Sequence, residues 1–67
     1  MAGLPLPYLV TGPGRGKRCA SYGAATATAL DYCMREHRTY YVRDDTEKVV
    51  GRAEFENEGA TWVEVAA

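Results

Sequence analysis

The stretch 39-TYYVRDDTEKVVGRAEFENEGATWVEV-65 decides the fold. Thr39 to Arg43 is β-branched and aromatic, and Asp44-Asp45-Thr46-Glu47 is a polar turn. Lys48 to Glu56 alternates, with Val49, Ala53 and Phe55 on one face and Lys48, Arg52, Glu54 and Glu56 on the other. Asn57-Glu58-Gly59 is a hairpin turn in which Gly59 is expected to supply the positive φ. Ala60 to Val65 is the last strand, with Val63 and Val65 facing the core if Trp62 and Glu64 face away. Three strands joined by tight turns make an antiparallel meander.

Such a sheet needs an apolar layer over one face, and the segment before it supplies a helix. Ser21 is an N-cap candidate, and the run Ala24 to Arg38 is free of Pro and rich in Ala. At ~100° per residue, Gly23, Thr26, Ala27, Leu30, Cys33, Met34 and His37 share one side, read as the buried one. The opposite side carries Thr28, Tyr32, Arg35 and Glu36, with Asp31 and Arg35 spaced as an i, i+4 pair. Further towards the N-terminus, Gly12 to Arg18 reads as an exposed basic loop and Tyr8 to Thr11 as a short strand, with Pro5 and Pro7 keeping the start out of a helix. The expectation is one small α+β domain over residues 1–67: a strand, one α-helix packed on one face of the sheet, then a three-stranded antiparallel meander.

The bulk numbers narrow the function. A chain of 67 residues holds one thin core and disfavours a deep substrate cavity. Hydrophobic residues at 46% and charged residues at 25% are ordinary globular usage, which disfavours wholesale disorder. Two cysteines, Cys19 and Cys33, and one histidine, His37, are too few for a structural zinc site, and no cofactor motif is complete. Met1 to Pro7 has neither the basic region nor the apolar run of a signal peptide, and nothing approaches the ~20 apolar residues of a membrane span. A location in the cytoplasm of a host bacterium, with both thiols reduced and no membrane contact, follows as an expectation.

The net charge of -1 hides an uneven layout. Arg15, Lys17, Arg18, Arg35, Arg38 and Arg43 against Asp31 and Glu36 give residues 15–43 a balance of +4. Asp44, Asp45, Glu47, Glu54, Glu56, Glu58 and Glu64 against Lys48 and Arg52 give residues 44–67 a balance of -5. The two halves offer a basic surface for nucleic acid or an acidic one that imitates it, unless the charges mingle on folding.

Gly12-Pro13-Gly14-Arg15-Gly16-Lys17-Arg18 sits between a strand and a helix, where a phosphate-binding loop would lie. Its spacing fails for a nucleotide loop, since only three residues separate Gly12 from Gly16-Lys17 and Arg18 stands where Ser or Thr is needed. A basic loop that touches phosphate backbone or an acidic protein surface fits better. The sheet face away from the helix carries Arg52 and Trp62, plus Tyr41 and Arg43 if Tyr40 and Val42 point inward. Aromatic and Arg side chains on an open face stack bases or anchor a protein partner, whereas a domain this small also needs Trp62 and the tyrosines as core. Cys33 and His37, four apart on the helix, read as a core thiol and a helix C-terminal imidazole rather than as a catalytic pair.

Ala20-Ser21 opening an Ala-rich helix, and Glu56-Asn57-Glu58-Gly59 leading into Trp62-Val63-Glu64, resemble the small phage-encoded anti-CRISPR proteins. The nearest likeness is to type I-F inhibitors of strand, helix and three-stranded meander, and it covers most of the chain in element order. The Gly12 to Arg18 segment departs from that pattern. The resemblance implies a non-enzymatic inhibitor that docks on Cas proteins of a type I surveillance complex and blocks target DNA. Arg15, Lys17, Arg18, Arg35 and Arg38 are the candidate partner contacts, with Tyr32 and Trp62 as aromatic anchors. DNA mimicry through Asp44, Asp45, Glu54, Glu56 and Glu58 is the opposite docking mode. The alternatives are a small nucleic-acid-binding regulator and a homodimer joined through the edge strand of the meander.

Overall fold

The computed structural model describes residues 6–65. The order is β1 (Tyr8–Thr11), β2 (Gly16–Cys19), α1 (Tyr22–Glu36), β3 (Tyr40–Arg43), β4 (Val49–Glu56) and β5 (Gly59–Glu64). All five strands form one antiparallel sheet, ordered β2-β1-β3-β4-β5, and α1 covers one face of it. The expected α+β class holds, with one correction. Half of the supposed basic loop is β2, an edge strand paired with β1 as Tyr8↔Cys19 through Thr11↔Gly16. A Gly-rich, charged run has low strand propensity, and pairing with β1 overrides it.

Helix α1 starts where Ser21 accepts a hydrogen bond from the Ala24 N–H, at 3.1 Å. It ends at His37, whose left-handed backbone (φ 56°) lets its N–H close on the Cys33 carbonyl at 2.7 Å. The buried stripe is Ala25, Ala29 and Cys33, flanked by half-buried Tyr22, Tyr32 and Glu36. The expected buried side is therefore rotated by about one residue's 100°: Gly23, Ala27 and His37 are exposed and Met34 is 45% exposed. An Ala-rich helix is weakly apolar all round, so tyrosine packing, not aliphatic spacing, sets the face.

Small helix residues meet the ring of Tyr40 and the side chains of Val10, Val42 and Ala53, all fully buried. Two glycines make room for aromatics on this side. A Cβ on Gly51 would lie 2.1 Å from the Trp62 ring, and one on Gly12 would lie 2.3 Å from the Tyr40 ring. Trp62 pairs with Ala53, faces the helix and leans over Gly51, so the expectation that it faces away is overturned, and with it the inward Val63. Partnered residues of adjacent strands share a face, and one step of register exchanges the two faces.

The same rule explains β4. Val42 pairs with Gly51 but Arg43 pairs with Val49, a β-bulge that inserts one residue. Val50 packs against the core and Val49 sits opposite Arg43, reversing the expected placement of Val49, while Ala53 and Phe55 face the helix as expected. In the β4–β5 hairpin the positive φ falls on Asn57 (52°) and Glu58 (59°), not on Gly59. Two consecutive left-handed residues are the primed turn that suits a twisted hairpin.

Candidate binding interface

Seven residues were expected to make the binding surface, and the fold scatters them. Arg15 belongs to a latch. Its guanidinium lies 4.7 Å from the centre of the Tyr32 ring, and its Nε is 2.7 Å from Glu36 Oε2. Glu36 Oε1 accepts the Tyr40 hydroxyl at 2.5 Å, and Tyr32 meets Tyr40 edge to face at 5.4 Å. Burial first, and then the Glu36 carboxylate, push the Tyr40 phenol above its ordinary pKa. These contacts clamp the β1–β2 turn onto the C-terminal end of α1, so Arg15 and Tyr32 serve the fold.

Lys17 aligns with Val10 on the helix side of the sheet, at its exposed edge. Arg35 is paired with Asp31 on the outer surface of α1, at 3.0 Å. Arg38 lines an open groove of about 330 Å³ with Pro13, Gly14 and Glu36. Trp62 donates its indole N–H to the Tyr22 hydroxyl at 3.3 Å, and Tyr22 in turn donates to Glu64 at 3.3 Å. Of the seven, Arg18 alone lies on the sheet face that α1 leaves open.

The strand register gives the layout of that face. One row crosses the strands as Arg18, Leu9, Arg43 and Val49. The next runs Thr11, Tyr41, Arg52 and Val63, followed by Glu54 and Thr61. Strands ~4.8 Å apart set Arg18 and Arg43 about 10 Å from each other, with Leu9 between them. Arg43 is anchored by a 3.0 Å bond to the Glu47 carbonyl, Arg52 by its ion pair with Glu54. Tyr41 is 40% exposed, and Leu9, Val49 and Val63 are half-buried. The face thus holds two guanidiniums fixed by neighbours, Arg43 and Arg52, a third at Arg18, an aromatic and an aliphatic floor.

Tyr41, Arg43 and Arg52 were legible as outward residues from the alternation of β3 and β4. Leu9, Val49 and Val63 were not, because their orientation depends on the β1 pairing, the bulge and the hairpin register. The strand order also keeps the charges apart: Arg15, Lys17 and Arg18 lie at the β2 edge, while Glu54, Glu56, Glu58 and Glu64 lie around β4 and β5. Asp44, Asp45 and Glu47 occupy the β3–β4 loop, at the other end of the strands from the Asn57-Glu58 turn. The residues expected to mimic DNA are therefore divided between two ends of the molecule.

Other chemistry has little to build on. Cys19 and Cys33 are buried, unbridged thiols, and burial pushes the Cys33 thiol up in pKa. His37 stacks on Phe55 at 4.1 Å rather than meeting the Cys33 thiol. Among the described residues no three His, Cys, Asp or Glu side chains gather into a metal-binding group, and no helix is long and apolar enough to cross a membrane. Comparison with protein-family models, with curated proteins and with solved structures finds no match.

Proposed function

We propose that the chain acts by binding, without chemistry of its own, and that it docks through the open sheet face on a protein partner. The observation that carries this is the pair of rows Arg18-Leu9-Arg43-Val49 and Thr11-Tyr41-Arg52-Val63 on a face no other described element covers. Tyr and Arg are the residues enriched in interface hot spots, and the Arg18 and Arg43 guanidiniums suit bidentate pairing with carboxylates. Five strands give a face of about 24 by 20 Å, suited to a small interface of about 600 Å² a side. The resemblance to anti-CRISPR inhibitors names the partner: a Cas subunit of a type I surveillance complex, presenting an acidic and partly apolar patch near the path of target DNA. The inhibitor then works by occlusion, one copy per site.

The test is affinity capture from lysates of bacteria carrying such complexes, with and without nuclease, using the wild type and the double variant Arg18→Glu/Arg43→Glu. Expected is recovery of Cas subunits that survives nuclease and is lost in the double variant. Unchanged Cas recovery by that variant would move the interface elsewhere. Recovery of nucleic acid alone would replace the reading with a regulator that stacks bases on Tyr41, and its affinity would fall steeply with salt. The ion pair that engages Arg52 and the acidic β4–β5 hairpin weigh against that second reading.

A further inference from the structure

Among the described residues the sheet ends at two unpaired edges, β2 and β5, and they are defended differently. Edge strand β2 is four residues long and carries Lys17 and Arg18, beside Arg15. Charged side chains, Lys above all, are the usual guard against strand pairing. Edge strand β5 is six residues, Gly-Ala-Thr-Trp-Val-Glu, with no Lys, Pro or bulge. Its one charge, Glu64, is at its end, and the Trp62 indole leans inward over Gly51 rather than across the outer backbone.

The hydrogen-bond phase of β5 fixes which backbone groups are free. The two-residue turn closes on the pair Glu56↔Gly59, and the Val65 N–H reaches the Val50 carbonyl at 3.1 Å. Bonded pairs alternate in an antiparallel ladder, so Gly59, Thr61, Val63 and Val65 direct their N–H and C=O groups at β4. Ala60, Trp62 and Glu64 direct theirs outward, past the last strand of the sheet. These three positions are symmetric about Trp62.

We propose that β5 is a self-association edge: two copies pair β5 to β5, antiparallel, about a two-fold axis at Trp62. In that register Trp62 meets Trp62 of the second copy and Ala60 meets Glu64 in both directions, giving about six backbone hydrogen bonds. Thr61 stands opposite Val63, a favourable β-branched pair on the open face, and no like charges oppose one another. The register centred on Thr61 sets Glu58 against Glu64, and the one centred on Val63 leaves Ala60 without a partner in β5. The equivalent pairing of two β2 edges sets Lys17 on Lys17 or Arg18 on Arg18. Pairing β2 with β5 leaves an edge at each end and forms an open chain, whereas β5 with β5 closes. The dimer presents two copies of the open face side by side, so a partner with two sites would gain avidity. This inference rests on the edge alone and stands whether or not the proposed partner is right.

Sedimentation velocity from micromolar to millimolar concentration is the test, read together with amide hydrogen exchange by NMR. Expected is a reversible monomer–dimer equilibrium that added salt does not abolish. Exchange at Ala60, Trp62 and Glu64 slows as concentration rises, while Thr61 and Val63 are protected throughout. Glu64→Pro removes an outward N–H that the monomer does not use and should hold the protein monomeric with its sheet intact. Thr61→Lys, at an exposed position, should weaken the dimer tenfold or more, and it decides the matter if the proline variant fails to fold. A wild type that stays monomeric at millimolar concentration would overturn the proposal. So would a dimer that Thr61→Lys leaves unchanged, or one that forms without slowing exchange at the three outward amides.

Discussion

The covered and open faces of the sheet are built on different terms. On the covered face, residue size is dictated by contact: Gly51 admits Trp62, Gly12 admits Tyr40, and Ala25, Ala29 and Ala53 let α1 lie close. On the open face, Leu9, Tyr41, Arg43, Arg52 and Val63 touch mainly their strand neighbours and solvent. Folding constrains the first set tightly and the second loosely. The composition of the open face is therefore the better guide to what the molecule meets.

The sharpest break in this comparison is Gly51→Ala. A Cβ at 2.1 Å from the indole must displace it, and unfolding by denaturant should show a loss of about 2–3 kcal/mol, typical of overpacking. Next comes Tyr40→Phe, which leaves Glu36 without its 2.5 Å hydroxyl donor and should cost about 1.5 kcal/mol, as for a bond to a charged group. The same residue gives a pH signature. Its folded pKa is raised, so the neutral phenol stabilises the fold below the ordinary tyrosine range, and that contribution is lost as pH rises beyond it. Absorbance titration should show one phenol that ionises later than the rest, or only with unfolding, and Tyr40→Phe should remove it.

Glu58→Gly should act in the opposite direction. A left-handed non-glycine residue is strained, and its replacement in a primed turn should raise stability by about 1 kcal/mol, read as an increase in melting temperature. Smallest are the open-face changes. Tyr41→Ala and Arg43→Ala should each shift stability by less than about 0.5 kcal/mol while abolishing partner capture. A large loss of stability at either position would erase the distinction between the faces.

Periodicity made the meander, the capped helix and the α+β class legible in the sequence. It failed where one residue's phase matters. The bulge at Val49-Val50 is invisible to alternation, because both residues are valine. Trp62 and Val63 are both apolar, so hydrophobicity cannot say which faces the helix. The resolving signal was Gly51, a glycine inside a strand that marks the close approach of something large. Arg15 looked like a free cation because its partners, Tyr32 and Glu36, are 17 and more residues away in the chain. The basic segment reads as a surface loop for a different reason, its low strand propensity, although its second half pairs with β1.

The strand order has a consequence for the folding pathway. Two regions close locally, the β1–β2 hairpin and the β3–β5 meander, and they join along a single non-local seam, Leu9↔Arg43, Val10↔Val42 and Thr11↔Tyr41. Because it closes across α1, that seam carries the largest loop-closure cost of the strand pairings. Both rows of the open face cross it, with Arg18, Leu9 and Thr11 on one side and Tyr41, Arg43 and Arg52 on the other. A ligand of these rows recognises only molecules in which the seam has zipped, so its binding stabilises the joined sheet by mass action.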